Sequence, residues 1–157
     1  MVYCQMLQQD SDASEELKRA DHLLYVTLKY TKNIDVIKNS IRRLINACDF
    51  AILDVMEWLK SKKKIKEIPL MPIARAMEIK RYFRKIDILE FINFYLLLKK
   101  IDRAEYTKKE EFKKNVRLIA MDENGESWEV NIEKLYEFFE RTKDFVKYVE
   151  ENYKLKE

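Results

Sequence analysis

Glycine is almost missing from this chain. One residue, Gly125, occurs in 157, and proline appears only as Pro69 and Pro72. At average usage of about 7%, a chain of this length holds about a dozen glycines. Tight turns, hairpins and phosphate-cradling loops need that residue, whereas helices do not. The scarcity excludes a glycine-rich phosphate loop and predicts a mainly helical chain with few, short connections. Histidine is equally scarce: His22 stands alone, and Cys4 and Cys48 are the only cysteines. Three such residues cannot complete a Cys/His zinc site, and two cysteines make no disulfide framework. A Gly-x-Ser-x-Gly elbow and a His-Glu-x-x-His metal motif are both missing. No metal and no cofactor is expected. Long apolar runs are lacking too. The densest stretch, 86–98, is interrupted by Asp87, Glu90 and Asn93, short of the roughly 18 residues of a membrane span. The apolar residues of 1–6 are too few for a secretory core and run into polar residues from Gln8. A cytoplasmic protein without a membrane partner is the expectation.

What is present is charge and apolar periodicity. Charged residues make up 38% and apolar residues 47% of the chain, against a usual quarter for charge. The lysine and glutamate excess fits a thermophile's ion-pair surface, and biased genome composition accounts for it equally well. The net charge is only +3, but it is unevenly placed. Residues 34–101 hold fifteen basic and eight acidic side chains, a net +7, and the remainder is net −4.

Residues 1–10 are expected to form a flexible tail, and 11–157 a single domain. A first helix starts near 11–14, capped by Ser11 or Asp12, and ends near 31–33, with Leu17, Leu24, Leu28 and Tyr25 on its apolar stripe. From Ile34, apolar residues recur at steps of three and four through Leu59, with no glycine or proline between. This predicts a helix of about 28 residues, roughly 42 Å long. The two prolines mark a break, with Pro72 opening a basic helix to about residue 85. Asp87 then reads as the cap of a helix over 88–101 that is apolar on more than one face. Such a helix is central in a bundle or covered by a partner subunit. Thr107, Lys108, Lys109 and Glu110 have capping-box spacing, which predicts a short helical turn over 107–113. Asp122-Glu123-Asn124-Gly125 is the one clear β-turn and predicts a hairpin over about 116–131, with Trp128 as a lid on the core. Asn131 caps a last helix striped by Leu135, Phe138, Phe139, Thr142, Phe145, Val146 and Val149. The expected fold is mainly α: an up-and-down bundle of about five helices with one small β-hairpin before the last.

Four groups of residues merit a chemical reading. Lys60, Lys62, Lys63, Lys64 and Lys66 can meet phosphates, or simply solvate a helix end whose dipole favours cations. Arg81-Tyr82-Phe83-Arg84-Lys85 interleaves aromatic and basic residues in the manner of single-strand binders. At helical spacing, Phe83 also reads as core with the arginines as its exposed flank. Arg19, Asp21 and His22 lie within one helical turn, where Asp21 could orient the imidazole; a surface histidine with a structural hydrogen bond is the plainer reading. Asp49, Asp54 and Glu57 bring carboxylates toward the bundle interior, without the Glu-x-x-His repeats of a di-metal site. Cys48 reads as a small buried hydrophobe.

The segment Ala20-Asp21-His22-Leu23-Leu24-Tyr25-Val26-Thr27 precedes the very long helix. After the hairpin, the last helix carries Thr142-Lys143-Asp144-Phe145. This arrangement, over about residues 18–152, resembles a group of uncharacterised archaeal proteins in the HEPN superfamily of helical bundles. The resemblance implies a four-to-five-helix up-and-down bundle, often dimeric. Some HEPN domains are metal-independent ribonucleases with an arginine four to six residues before a histidine, near the start of the last bundle helix. This sequence departs from that motif. Arg19 is three residues from His22, and neither Arg103 nor Arg141 is followed by a histidine. No HEPN catalytic residue carries over. Other HEPN domains are non-catalytic or partner minimal nucleotidyltransferases. The expected role is therefore a non-enzymatic binding or scaffolding module, homodimeric through its fourth and second helices. RNA binding by the basic 34–101 block, through Lys62, Lys63, Lys64, Arg81 and Arg84, is the alternative. A ribonuclease using Arg19, Asp21 and His22 is the third reading.

Overall fold

A computed structural model describes residues 11–154. The tail expected at 1–10, with Cys4, lies outside the described residues. Helix α1 begins as Asp12–His22, passes through a π-helical segment Leu23–Thr27, and closes with the turn Leu28–Thr31. Ser11 is its cap, its side-chain oxygen accepting from the Ser14 amide. Helix α2 is Ile34–Ser61, 28 residues long. Helices α3 (Pro72–Tyr82) and α4 (Ile86–Arg103) follow. Strands β1 (Glu105–Lys109), β2 (Arg117–Met121) and β3 (Ser127–Asn131) precede the final helix α5, Ile132–Asn152. The expected bundle of five helices is thus present.

Helix α2 is the spine because its buried residues cover a broad face, about half of its circumference. Ile37, Ile41, Leu44, Cys48, Ile52, Val55 and Met56 are among fourteen buried residues along it, and α1, α3, α4 and α5 all pack on it. Burying a leucine or isoleucine side chain stabilises a fold by about 1.5–3 kcal/mol, so a helix this long dominates the core. Helix α4 also turns apolar residues inward. Ile88, Ile92, Phe94, Tyr95, Leu98 and Ile101 are buried, and Leu89, Phe91, Leu96 and Leu97 are half-buried against the same core. Its many-sided apolar surface is covered by α2, α3, α5 and β2 of its own chain.

Two local expectations need correction. Residues 105–109 form a strand, not part of a helical turn, so the hairpin is a three-stranded antiparallel sheet in the order β1-β2-β3. Thr107 pairs with Ile119 and Lys109 with Arg117. The segment 107–113 has no apolar stripe to dock, and a short helix without one is not stable in water. Pairing with β2 supplies its backbone partners instead. All five residues of β1 are exposed; as an edge strand it is guarded by Lys108 and Lys109. The second correction concerns Asp87. Helix α4 starts two residues earlier, at Ile86 with Lys85 as cap, and Asp87 lies in the first turn. The carboxylate still favours the positive end of the dipole there.

The sheet sits on the bundle through Leu118, Ala120 and Val130, all buried. Trp128 is half-buried over them and packs on the core as expected. Gly125 closes the β2–β3 turn with φ +82°, a conformation side chains rarely adopt. Asn131 caps α5 by accepting from the Lys134 amide at 2.7 Å. The loop after β1 is fastened to the α1–α2 corner: the Phe112 amide donates to the Lys32 carbonyl at 3.0 Å, and Glu111 accepts from the Ile34 amide at 3.1 Å.

The spine role has a measurable consequence. Leu44→Ala leaves a cavity in the fully buried face of α2 and should cost about 2–5 kcal/mol. Leu70→Ala, at a side chain 89% exposed, should change stability by less than about 0.5 kcal/mol. Urea denaturation reads both; similar losses would contradict the arrangement.

Candidate functional site

The lysine run begins at the end of α2. Lys60 occupies its last turn, Lys62 follows as C-cap, and Lys63 adopts a left-handed φ of 59° that turns the chain away from the helix. All five lysines of the run are exposed. The basic residues Arg81 and Arg84 lie at the end of α3. Arg81 is 3.9 Å from Glu78, and the Arg84 guanidinium donates to the carbonyls of Lys80, Arg81 and Phe83. Arg84 thereby closes the helix end whose carbonyls lack partners.

An aromatic cluster joins the two basic groups. The Trp58 and Phe83 rings are 6.1 Å apart, and Tyr153 meets both edge-on, at 5.1 and 5.3 Å. The Lys62 ammonium lies over Trp58 at 5.9 Å. Phe83 is half-buried against the core, as the helical-spacing reading expects, and the arginines beside it are its exposed flank. The structure therefore gathers Lys62, Lys63, Lys64, Arg81 and Arg84 toward one end of the bundle.

Arg19, Asp21 and His22 are exposed on α1 and are not joined to one another. Arg19 donates to Glu16 at 2.8 Å, and the same carboxylate accepts from Arg43 of α2 at 3.3 Å. Asp21 instead borders a shallow groove of about 560 Å³ between α1 and α5, with Tyr25, Phe139, Glu140 and Lys143. Among the described residues, no hydrogen bond or ion pair reaches His22.

Asp49 and Asp54 are half-buried on α2. Burial raises both carboxyls above the usual range. The Tyr95 hydroxyl donates to Asp49 Oδ1 at 2.5 Å and opposes that rise, with Lys99 and Arg75 nearby. Asp54 has Lys154 as its cationic neighbour and the carboxylates of Glu150, Asp12 and Glu57 around it. Among the described residues, no group of three or more His, Cys, Asp or Glu side chains could hold a metal ion. Cys48 is fully buried and free, and burial pushes its thiol up, away from the reactive thiolate.

Sequence reasoning missed Tyr95 as a polar partner, counting it only as apolar bulk. It also missed Lys38. Its ammonium donates to the Asp102 carbonyl at 2.5 Å and pairs with the Asp102 carboxylate at 3.2 Å, which also meets Arg42 at 3.2 Å. Spacing on α2 places Lys38 one residue past Ile37, and nothing in the sequence names a residue 64 positions away as its partner.

Comparison with protein families, with curated proteins and with solved structures gave no match. Among the described residues, no helix is long and apolar enough to cross a membrane.

Tyr95 and Asp49 supply a pH test. Tyr95→Phe leaves a half-buried carboxylate short of its donor and should cost about 1–3 kcal/mol near neutrality. The folded carboxyl holds its proton more tightly than the unfolded one, whose pKa is about 3.9. The stability this group contributes is present below that value and is lost as pH rises through the folded value. Asp49→Asn should therefore gain on the parent as pH rises above about 4. Parallel stability curves for the two proteins over that range would contradict it.

Proposed function

We propose that this protein is a non-enzymatic binding module that acts by contact and associates with a second copy of itself. The observation that carries the reading is the apolar surface of α1 that the described residues leave exposed. Tyr25 and Val26, in the π-helical segment, and Tyr30, 79% exposed, stand on that helix. Tyr25 stacks on Tyr136 of α5 at 5.1 Å with the rings 14° from parallel. Aromatic residues are enriched at the centres of protein interfaces. Lys18, Asp21, Glu140 and Lys143 border this surface, two of each sign. A two-fold contact brings the same patch against itself, so each sign can meet its opposite. The fourth and second helices use their apolar residues within the chain, which moves the proposed interface to α1 and α5. In family terms this is a HEPN-like bundle without the ribonuclease motif, with itself or a minimal nucleotidyltransferase as the partner class.

RNA binding is a second reading, favoured by one specific observation. The Trp58, Phe83 and Tyr153 cluster draws Lys62, Lys63 and Lys64 toward Arg81 and Arg84. Phosphate contacts of that kind weaken steeply with salt.

Sedimentation at micromolar concentration tests the first reading. A dimer is expected, converted to monomer by Tyr25→Glu with Tyr30→Glu; a sharply monomeric parent protein would overturn it. Titration with single-stranded and structured RNA over a salt series tests the second. Binding should fall at least tenfold when Lys62, Lys63 and Lys64 become alanine, and no binding at low salt removes it.

A further inference from the structure

A groove of about 750 Å³ lies where α3, the end of α4, β1 and the β2–β3 turn meet. It is separate from the α1 surface and from the lysine run. Ile73, Leu96 and Met121 give it an apolar floor. One wall is basic: Lys99, Lys100 and Arg103, from the last turns of α4. Lys99 is held over the Tyr95 ring at 5.9 Å, close to Asp49. Lys100 and Arg103 have no side-chain hydrogen bond, ion pair or ring partner among the described residues.

Where β1 and the β2–β3 turn reach the groove, it is acidic. Glu105 and Glu123 line it, likewise without partners among the described residues. Asp122 is committed to the turn, accepting from the amides of Asn124 and Glu126 at 3.0 and 2.9 Å. Those bonds and Gly125 fix the shape of this part of the groove before any ligand arrives.

Charge of both signs across an apolar floor limits what fits. A polyanion such as an RNA backbone or an acidic peptide would meet the carboxylates of Glu105 and Glu123. A purely apolar ligand would leave five charges unanswered. The arrangement calls for a small molecule with an anionic head, a flat apolar body and hydrogen-bond donors on its far side. The helix dipole at the end of α4 favours the cations, so the head must be held by side chains. The volume lies within the range of small-ligand sites, about 300–1,000 Å³.

We propose that this groove binds a nucleoside monophosphate. The phosphate lies on Lys99, Lys100 and Arg103. The base lies on Ile73, Leu96 and Met121. The ribose hydroxyls or the exocyclic amine donate to Glu105 and Glu123.

Isothermal titration of the full chain with adenosine 5′-phosphate is the test, with adenosine and inorganic phosphate as separate titrants. Binding is expected for the nucleotide and at least tenfold weaker binding for either half. K100E with R103E, both exposed positions, should lower nucleotide affinity at least tenfold while circular dichroism and melting temperature stay near the parent's. K62E with K63E should leave it within twofold. No binding of the nucleotide overturns the proposal, as does inorganic phosphate matching it. Loss of binding in K62E/K63E also overturns it, because the phosphate would then sit at the other basic end. None of these outcomes depends on whether the protein dimerises.

Discussion

Every element of this fold answers to one constraint: α2 must lose water from a broad arc, about half of its circumference. A helix with one apolar stripe needs a single neighbour. One that buries Ile37, Ser40, Ile41, Leu44, Ala47, Cys48 and Ala51 within four turns needs neighbours on several sides. The chain meets that need by wrapping α1, α3, α4 and α5 around it. Ala47, Ala51 and the hydroxyl of Ser40 let neighbouring backbones approach; the Ser40 hydroxyl satisfies itself on the Val36 carbonyl at 2.7 Å. Thr142 does the same on α5, donating to the Phe138 carbonyl at 2.8 Å. Small polar groups can thus sit inside the core without costing an unpaired hydrogen bond.

How far the sequence told this in advance depends on where the determining interaction lies. Helix α2 was legible because its signal is local and repeats for 28 residues. So were the caps Ser11 and Asn131, which need only a side-chain oxygen three residues ahead of an amide. Strand β1 was not. Glu105, Tyr106, Thr107, Lys108 and Lys109 have no inward face, and only the facing backbone of β2 makes them a strand. The Thr107–Glu110 spacing is a real capping pattern with no helix to cap.

The candidate sites divide in the same way. The basic residues were visible as a composition bias, but their convergence was not, because it depends on Trp58, Phe83 and Tyr153 meeting from three separate elements. Arg19, Asp21 and His22 were visible as neighbours in sequence, yet a helix fans successive side chains about 100° apart. Arg19 is drawn toward Arg43 through the shared Glu16, while Asp21 looks to α5. Asp21 and His22, one step apart, diverge, while Arg19, three residues from His22, is engaged by Glu16 instead.

The π-helical segment follows from the spacing of the core residues. Glu16, Ala20, Leu24 and Leu28 are all buried and lie four apart. In a regular α-helix each step of four overshoots a full turn by about 40°, so Leu28 would swing well away from Glu16's direction. The Leu28 amide reaches back five residues to the Leu23 carbonyl, and the wider turn takes up the excess. The same widening carries Tyr25 and Val26 outward. Length variation, which proteins ordinarily accommodate in loops, is here absorbed inside a helix. Deleting any one residue from 23–27 would restore an ordinary turn and rotate the end of α1 against its fixed corner at Lys32.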